Sequence, residues 1–467
     1  MAPKQDADVV LQSDPDNVDN AIPGAAGAFR LYKRRWIGVF SLFVLEVVAS
    51  MSWPWFGPIS DSVVDQFGFT LDEVSWLGNI IACIYLPTSF LVPIITRRYG
   101  IRRCCQIGTV ALLISAWVRY AGTVRSLSKH SAYALIIFGQ LFSAIAQPVF
   151  QILGPKYSEV WFDLKGRTTA TMILAISNPI GGAIGQLISP IVGDVRQSIL
   201  VLGIVSTVVT PAVFLVFEKP PIPPTYAGSQ KSPSIFLLIN AAVGRPVPRE
   251  AYMTPRERAD FGILVFVFAV LLSAINTFSV MSSQWMAPYG YSDDTTGLMG
   301  ATLLLVGIVA ALASAPVFDR ILTRHLGITI RLLCPIIGAG WFALIWAAKP
   351  KDTAGLFVIM AIIGAASIAL LPVALELACE LTRNADGSSA VLWFFGNLFS
   401  IIFLTSQSAL RAPSTGSPPL NMHRAIIFNA VFTTFAVLLV FGLEGRQARR
   451  ERDEMVVRGE VGEAGET

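Results

Sequence analysis

Twelve long apolar runs constrain this chain more than any other feature of its sequence. A helix needs about 20 apolar residues to cross the roughly 30 Å hydrocarbon core of a bilayer, and the runs have about that length. Only 14% of the residues are charged, too few to cover a soluble globular protein of this size. The chain is therefore expected to be an all-α membrane protein. The runs cover approximately residues 36–58, 75–96, 104–121, 131–153, 168–192, 198–217, 260–285, 297–321, 328–348, 354–379, 388–410 and 424–443.

Lysine and arginine collect in alternate loops between these runs. They precede run one, follow runs two, four and eight, and follow run twelve, whereas the loop after run one has four acidic residues and no basic one. Because basic loops stay on the cytoplasmic side, both termini are predicted to be cytoplasmic. We expect a multi-pass protein of the plasma membrane or of a vacuolar or lysosomal membrane.

The longest internal polar segment divides the runs into six and six. It is rich in proline at first and basic later, and its short apolar piece "SIFLLINAA" is expected to form an interfacial helix. The predicted organisation is a disordered cytoplasmic tail, an N-terminal six-helix bundle, a cytoplasmic linker, a C-terminal six-helix bundle and a cytoplasmic tail. These parts correspond to residues 1–30, 31–217, 218–259, 260–444 and 445–467.

Two loops at equivalent places of the two halves have similar sequences. "TRRYGIRR" (96–103) follows run two, and "FDRILTRHLG" (318–327) follows run eight. Both resemble the loop signature of the major facilitator superfamily, although the first has Arg97 where that family usually has aspartate. The resemblance implies twelve transmembrane helices in two bundles that rock around a site near the membrane midplane. Asp319, the acidic residue of the second copy, is a gating candidate.

Four further stretches point to a narrower group. They are "YKRRWIGVFSLF" leading into "SWPWFGPISDS", "GQLFSAIAQPVFQILGPKYSEVWF" (139–162), "SNPIGGAIGQLISP" (177–190) and "LELACELTRNADGSSAVLW" (375–393). Together they resemble the feline leukaemia virus subgroup C receptor-related family. The resemblance implies a transporter of small, often cationic or aromatic nutrients, since choline, ethanolamine, haem and pyridoxine have each been named as substrates of relatives.

The same resemblance suggests a cation cage. A tryptophan of span one in choline-carrying members aligns with Trp53, and a glutamine of span eleven aligns with Asn397. The cage glutamine of span five falls at Pro179, and the cage tyrosine of span seven has no clear equivalent between Asn276 and Gln284. Choline as the substrate therefore stays open.

Span one carries a polar stripe that ends in an indole. Glu46, Ser50 and Trp53 lie at i, i+4 and i+7, which places them on one helix face. The prolines and glycine of "SWPWFGP" predict a bend just beyond Trp53. The indole is expected to contact a cationic solute, the alternative being a tryptophan at the membrane interface.

Glu46 is an ionisable group near the membrane centre, which costs several kcal/mol unless it is paired, neutral or hydrated. It is the candidate for proton coupling. The alternative is a protonated carboxyl group that ties span one to a neighbouring helix.

Amide side chains on other spans are candidates for substrate binding. Gln147 lies on the polar face of span four, and Asn178 on that of span five; Asn276 and Gln284 belong to span seven, where "WMAPYGY" mirrors the end of span one. Interrupted helices in corresponding positions of two halves indicate a transporter's site. Hydrogen bonding between helices is the alternative role for each amide.

Glu376 and Glu380 lie four residues apart at the cytoplasmic end of span ten, so they repel each other unless cations approach. We expect them to form a gate with Arg383 or with the basic loops of that side.

Other classes of protein fit the residues less well. A net charge of +4 without a basic stripe excludes a nucleic-acid surface, and His130, His325 and His423 are too far apart for a metal site. No cofactor is expected. The predicted partners are a small-molecule substrate, such as an organic cation or vitamin, and the lipid bilayer, and a monomer is expected. The preferred function is solute transport by alternating access, with a receptor or sensor, or a lipid-modifying enzyme, as alternatives.

Overall fold

The computed structural model describes residues 18–21, 29–56, 59–229, 233–291, 293–320, 325–413, 415, 418, 421–447 and 449–451. Most of these residues are helical. The helices are α1 (Arg35–Met51), α2 (Ser60–Phe67), α3 (Leu71–Ala121), α4 (Lys129–Trp161), α5 (Arg167–Ile191), α6 (Val195–Val209), α7 (Tyr226–Ser229), α8 (Ile235–Val243), α9 (Pro255–Met286), α10 (Asp293–Arg320), α11 (Leu326–Ala347), α12 (Thr353–Thr382), α13 (Ala385–Ala409) and α14 (His423–Val440).

The predicted all-α membrane fold is confirmed. Among the described residues, nine helices are long and apolar enough to cross a bilayer, and α3 is one of them. Helix α3 supplies two spans, because Gly100 has a non-helical φ of 86° and divides it. The 17-residue α1 and α10, with its apolar stretch Leu298–Ser314, complete the twelve spans.

Helix α1 ends at Met51, earlier than the predicted end of span one at residue 58. Pro54 has no N–H to donate to the carbonyl of Ser50, so the regular helical hydrogen bond is missing at this point. The N–H of Trp53 donates to the Ser50 oxygen instead, at 3.4 Å, in a tighter turn. The bend therefore comes before Trp53 rather than after it.

The loop between the two spans of α3 contains the first "TRRYGIRR" copy. Both oxygens of the Glu218 carboxylate accept backbone hydrogen bonds there, from Ile101 at 2.9 Å and Arg102 at 2.8 Å. A carboxylate at the first N–H groups of a helix is stabilising. An acidic group from beyond α6 thus meets this loop, although Arg97 occupies the usual acidic position.

The helices form two packed groups. Helices α1 to α6 pack on one another, as do α9 to α14, and the groups meet where α3 and α4 contact α13 and where α5 contacts α10 and α12. Helix α5 approaches α1 closely at two glycines. A Cβ atom would lie 2.2 Å from the Val47 oxygen at Gly181, and 2.6 Å from the Met51 oxygen at Gly185.

One face of the molecule gathers the described parts near both chain ends. Strand β1 (Val18–Ala21) pairs antiparallel with β2 (Arg30–Tyr32), which differs from the disorder predicted for residues 18–21. The Arg30 N–H donates to Pro223 in the segment between α6 and α9. The N–H groups of Glu444 and Gly445, after α14, donate to Asp260 near the start of α9. We call this side the termini face.

Candidate functional site

A chamber lies between the two groups of helices. The volume of this chamber that is open to water is about 110 Å³. A single water needs about 10–15 Å³ of volume measured in the same way. It therefore has room for several waters or for a small organic molecule. The first half contributes Ser50, Trp53, Asn178 and Gly182, and the second half contributes Phe268, Asn276, Ser279, Ser367 and Trp393 among mostly aliphatic residues.

Trp53 reaches the chamber from the short non-helical stretch after α1. Its neighbour Trp55 is fully buried, and the Trp55 Nε1–H donates to Ser198 Oγ on α6 at 3.1 Å. Trp53 is only partly buried and lines the chamber. The two tryptophans of "SWPWFGP" therefore have different surroundings, one in the chamber and one between helices.

Glu46 lies behind the chamber wall. Its Oε1 accepts hydrogen bonds from Ser50 Oγ at 2.9 Å and from Asn178 Nδ2 at 3.2 Å, and Asn178 also donates to Ser50 Oγ at 2.9 Å. Glu46 is 2% exposed. Its second oxygen has no partner, and no basic group forms an ion pair with it, among the described residues. Ser50 and Asn178 thus connect a buried carboxyl group to the chamber.

The predicted amides occupy different places. Asn276 lines the chamber from the second half and donates to Ser400 Oγ at 3.1 Å. Asn397 donates to the Trp393 carbonyl within its own helix at 2.9 Å. Gln147 is buried, and neither Gln147 nor Asn397 is among the described residues that line the chamber. The side chain of Gln284 lies outside the described residues. The chamber thus brings Trp53, Asn178 and Asn276 together.

Two aromatic residues of the chamber were missed in the sequence. Phe268 and Trp393 meet edge to face, with ring centroids 5.4 Å apart and an interplanar angle of 89°. Trp393 lies inside the fourth family-like stretch, and this position could have identified it as a candidate. Phe268 lies in an unbroken apolar run, where nothing in the sequence distinguishes it from its neighbours. Among the described lining residues none is charged, so the chamber is aromatic, aliphatic and neutral.

A buried ion-pair cluster joins the two halves on the termini face. Arg449, which follows α14, lies 2.9 Å from Glu159 of α4, 2.5 Å from Glu376 and 2.9 Å from Glu380 of α12. Lys156 pairs with Glu159 at 2.7 Å. Burial opposes the charge of Arg449, but the three carboxylates outweigh it and raise the pKa of Arg449 well above its ordinary value. We call these five residues the Arg449 cluster.

Glu376 and Glu380 were expected to meet Arg383 or the basic segments of their side. The cation that approaches both carboxylates is Arg449, from the basic segment after run twelve, and not Arg383. Arg383 sits at the end of α12 with a φ of 54° and pairs with Glu257 of α9 at 2.6 Å. The side chain of Asp319 lies outside the described residues.

Glu159 and Lys156 were also missed as members of this cluster. Both lie in the second family-like stretch, three residues apart just after run four, and this local pairing of opposite charges was the available signal. The pairing of Lys156 with Glu159 could be predicted from their spacing of three residues. The contact with Arg449 could not, because Arg449 is 290 positions away from Glu159 in the sequence.

Twelve spans in two halves around a central chamber, joined on one face by ion pairs, define a membrane transporter. The family model of the Major Facilitator Superfamily matches residues 42–404, and the chain belongs to this family.

Relatives narrow the position within the family. The chain is 26% identical over 429 residues to solute carrier family 49 member A3 of Xenopus tropicalis, covering 89% of this chain and 86% of that protein. It is 23% identical over 457 residues to the choline/ethanolamine transporter FLVCR2 of Homo sapiens, covering 92% and 81%. For the choline/ethanolamine transporter FLVCR1 of Felis catus the identity is 22% over 430 residues, covering 88% and 74%. These matches confirm the resemblance to the feline leukaemia virus subgroup C receptor-related family.

Proposed function

We propose that the protein carries a small polar or cationic organic solute across its membrane by alternating access, with choline and ethanolamine as the first candidates. The observation that carries the proposal is the neutral chamber between the halves, with the Trp53 indole at its wall. The names of FLVCR1 and FLVCR2 support the choice of candidates.

The chemistry of the chamber suits an organic cation. The aromatic rings of Trp53, Phe268 and Trp393 line it, and an ammonium group over such a face gains about 0.5 to 2 kcal/mol. Asn178 and Asn276 offer amide groups that can hydrogen-bond a hydroxyl or amine of the solute. Since the described lining residues include no carboxylate, the solute is held weakly enough to leave again.

Alternating access requires the Arg449 cluster to separate. Glu159 belongs to the first half, while Glu376 and Glu380 belong to the second, so the chamber opens on the termini face only when these contacts part. We infer from the basic loops that this face is cytoplasmic. The expected host is the plasma membrane or a vacuolar or lysosomal membrane, and the expected carrier is a monomer.

Proton coupling through Glu46 is the finer part of the proposal. The carboxyl group contacts Ser50 and Asn178, and both of these line the chamber. A proton on Glu46 changes the charge directly behind the wall, so solute binding and protonation influence each other.

Uptake into proteoliposomes tests the function. The purified protein is reconstituted and supplied with radiolabelled choline, ethanolamine or pyridoxine, with protein-free vesicles as the control. We expect saturable uptake of choline or ethanolamine, lowered by Trp53→Ala. Binding without uptake would identify a receptor or sensor. The proposal would be contradicted if the protein neither bound nor transported any of the three compounds.

A further inference from the structure

Another buried arginine lies at the opposite end of the first half from the Arg449 cluster. Arg119, in the last turn of α3, is 0% exposed. Its Nη1 donates to Gln140 Oε1 at 2.8 Å and its Nε donates to the Ser115 oxygen at 3.2 Å. Gly139 makes room for it, since a Cβ atom there would lie 2.4 Å from Arg119 Cγ. No carboxylate forms an ion pair with Arg119 among the described residues.

The arginine determines how the Gln140 amide is oriented. A guanidinium group only donates hydrogen bonds, so the amide must turn its oxygen toward Arg119. The Gln140 Nε2 then points the other way, where it donates to the Leu77 oxygen at 3.0 Å and to the Ser52 oxygen at 3.4 Å. Ser52 immediately precedes Trp53. The amide therefore joins α3 to the end of α1 beside the chamber.

This end of α1 needs such support because it is no longer helical. On one flank Trp55 donates to Ser198 on α6; on the other flank Gln140 donates to Ser52. Trp53 lies between the two contacts. We infer that Arg119 and Gln140 are positioning residues that hold the end of α1, and with it the Trp53 indole, at the chamber. The consequence for solute binding rests on the proposed function, whereas the consequence for the backbone does not.

The variant Gln140→Glu distinguishes two roles of the amide. One is holding the end of α1, and the other is only accommodating the buried charge of Arg119. Gln140→Glu still accepts from Arg119, and now forms an ion pair with it, but cannot donate to the Ser52 and Leu77 carbonyls. We expect amide hydrogen exchange to be about tenfold faster in peptides covering residues 50–56, while the thermal midpoint of the full-length protein is unchanged or higher. Arg119→Met, which leaves the Gln140 oxygen without its donor and so loosens the hold on the amide, is expected to give faster exchange in the same residues.

Two further variants serve as rescue and control. Arg119→Lys still donates to the Gln140 oxygen and is expected to restore slow exchange in residues 50–56. Gln151→Leu removes an amide of the same helix that accepts from Tyr85 at 2.7 Å, away from the end of α1, and should leave that exchange unchanged.

The inference is overturned if Gln140→Glu exchanges like the wild type in residues 50–56. It is also overturned if the faster exchange spreads through α3 and α4 with a lower thermal midpoint, because that pattern describes a purely structural role. With choline as the probe, the dissociation constant is expected to rise about tenfold in Gln140→Glu. Failure of the wild type to bind choline would count against the carrier proposal. The positioning role of Arg119 and Gln140 would still be decided by the hydrogen-exchange data.

Discussion

The Trp53 side chain offers the most direct test of solute recognition at the scale of single residues. Trp53→Ala removes an aromatic face from the chamber wall, whereas Trp53→Phe keeps a smaller one. We expect choline affinity to fall about tenfold or more in the alanine variant and less in the phenylalanine variant. Isothermal titration calorimetry measures both.

A matched control is available on α11. Trp346 is 56% exposed and does not line the chamber in the described part of the chain, so Trp346→Ala should leave the affinity unchanged. Equal affinity in the wild type and both Trp53 variants would remove the indole from the binding site.

Glu46 carries the prediction on proton coupling. Glu46→Gln keeps an oxygen to accept from Ser50 and Asn178 but can no longer titrate. Uptake by the wild type is expected to change between acidic and alkaline buffer, and the variant is expected to lose that pH dependence while still transporting. Glu444→Gln, at a side chain that is 62% exposed, is the control. A variant that keeps the wild-type pH profile would show that the coupling group lies elsewhere.

At the scale of helices, the contact between α1 and α5 depends on Gly181. Gly181→Ala would place a methyl carbon 2.2 Å from the Val47 oxygen and 2.8 Å from Ser50 Cβ, so the helices must separate. Overpacking of this kind costs about 1–3 kcal/mol. We expect a lower thermal midpoint in detergent.

The neighbouring glycine provides the control for this substitution. A Cβ atom at Gly182 meets no atom within 4 Å, so Gly182→Ala should leave the thermal midpoint unchanged. Equal midpoints for Gly181→Ala and the wild type would show that α1 can move away from α5 without cost.

At the scale of the whole molecule, the Arg449 cluster is expected to hold the halves together on the termini face. Arg449→Gln leaves Glu159, Glu376 and Glu380 without their shared cation, and removing one partner of buried ion pairs costs about 3–5 kcal/mol. The halves should separate there, exposing Cys379, which is 0% exposed. N-ethylmaleimide should then label Cys379 faster, as measured by peptide mass spectrometry.

The control for this experiment lies three residues away. Arg446 pairs with Glu451 at the surface, where its side chain is 70% exposed, so Arg446→Gln should not change the labelling of Cys379. Slow labelling of Cys379 in Arg449→Gln would mean that other contacts keep this face closed.

Local sequence was enough to predict the spans and some of the residues that line the chamber. Span length, hydropathy and the i, i+4, i+7 spacing of Glu46, Ser50 and Trp53 are properties of single helices, and they predicted the membrane fold and the polar stripe. The end of α1 was predicted at residue 58 but lies at Met51. The sequence contains several prolines in this stretch, and the pattern alone does not show at which of them the helical hydrogen bonds stop. Asn397 was proposed for the chamber, yet its amide bonds its own helix, a choice that depends on helix rotation.

The sequence by itself determined that this chain is a twelve-span membrane protein of the Major Facilitator Superfamily, because apolar length and family motifs are written in contiguous residues. Tertiary structure alone decided which charges and rings meet. Arg449 binds Glu159 across 290 positions of sequence, and Trp393 joins Trp53 around one chamber. Such pairs form when helices pack, and their energies depend on distances that no local pattern contains.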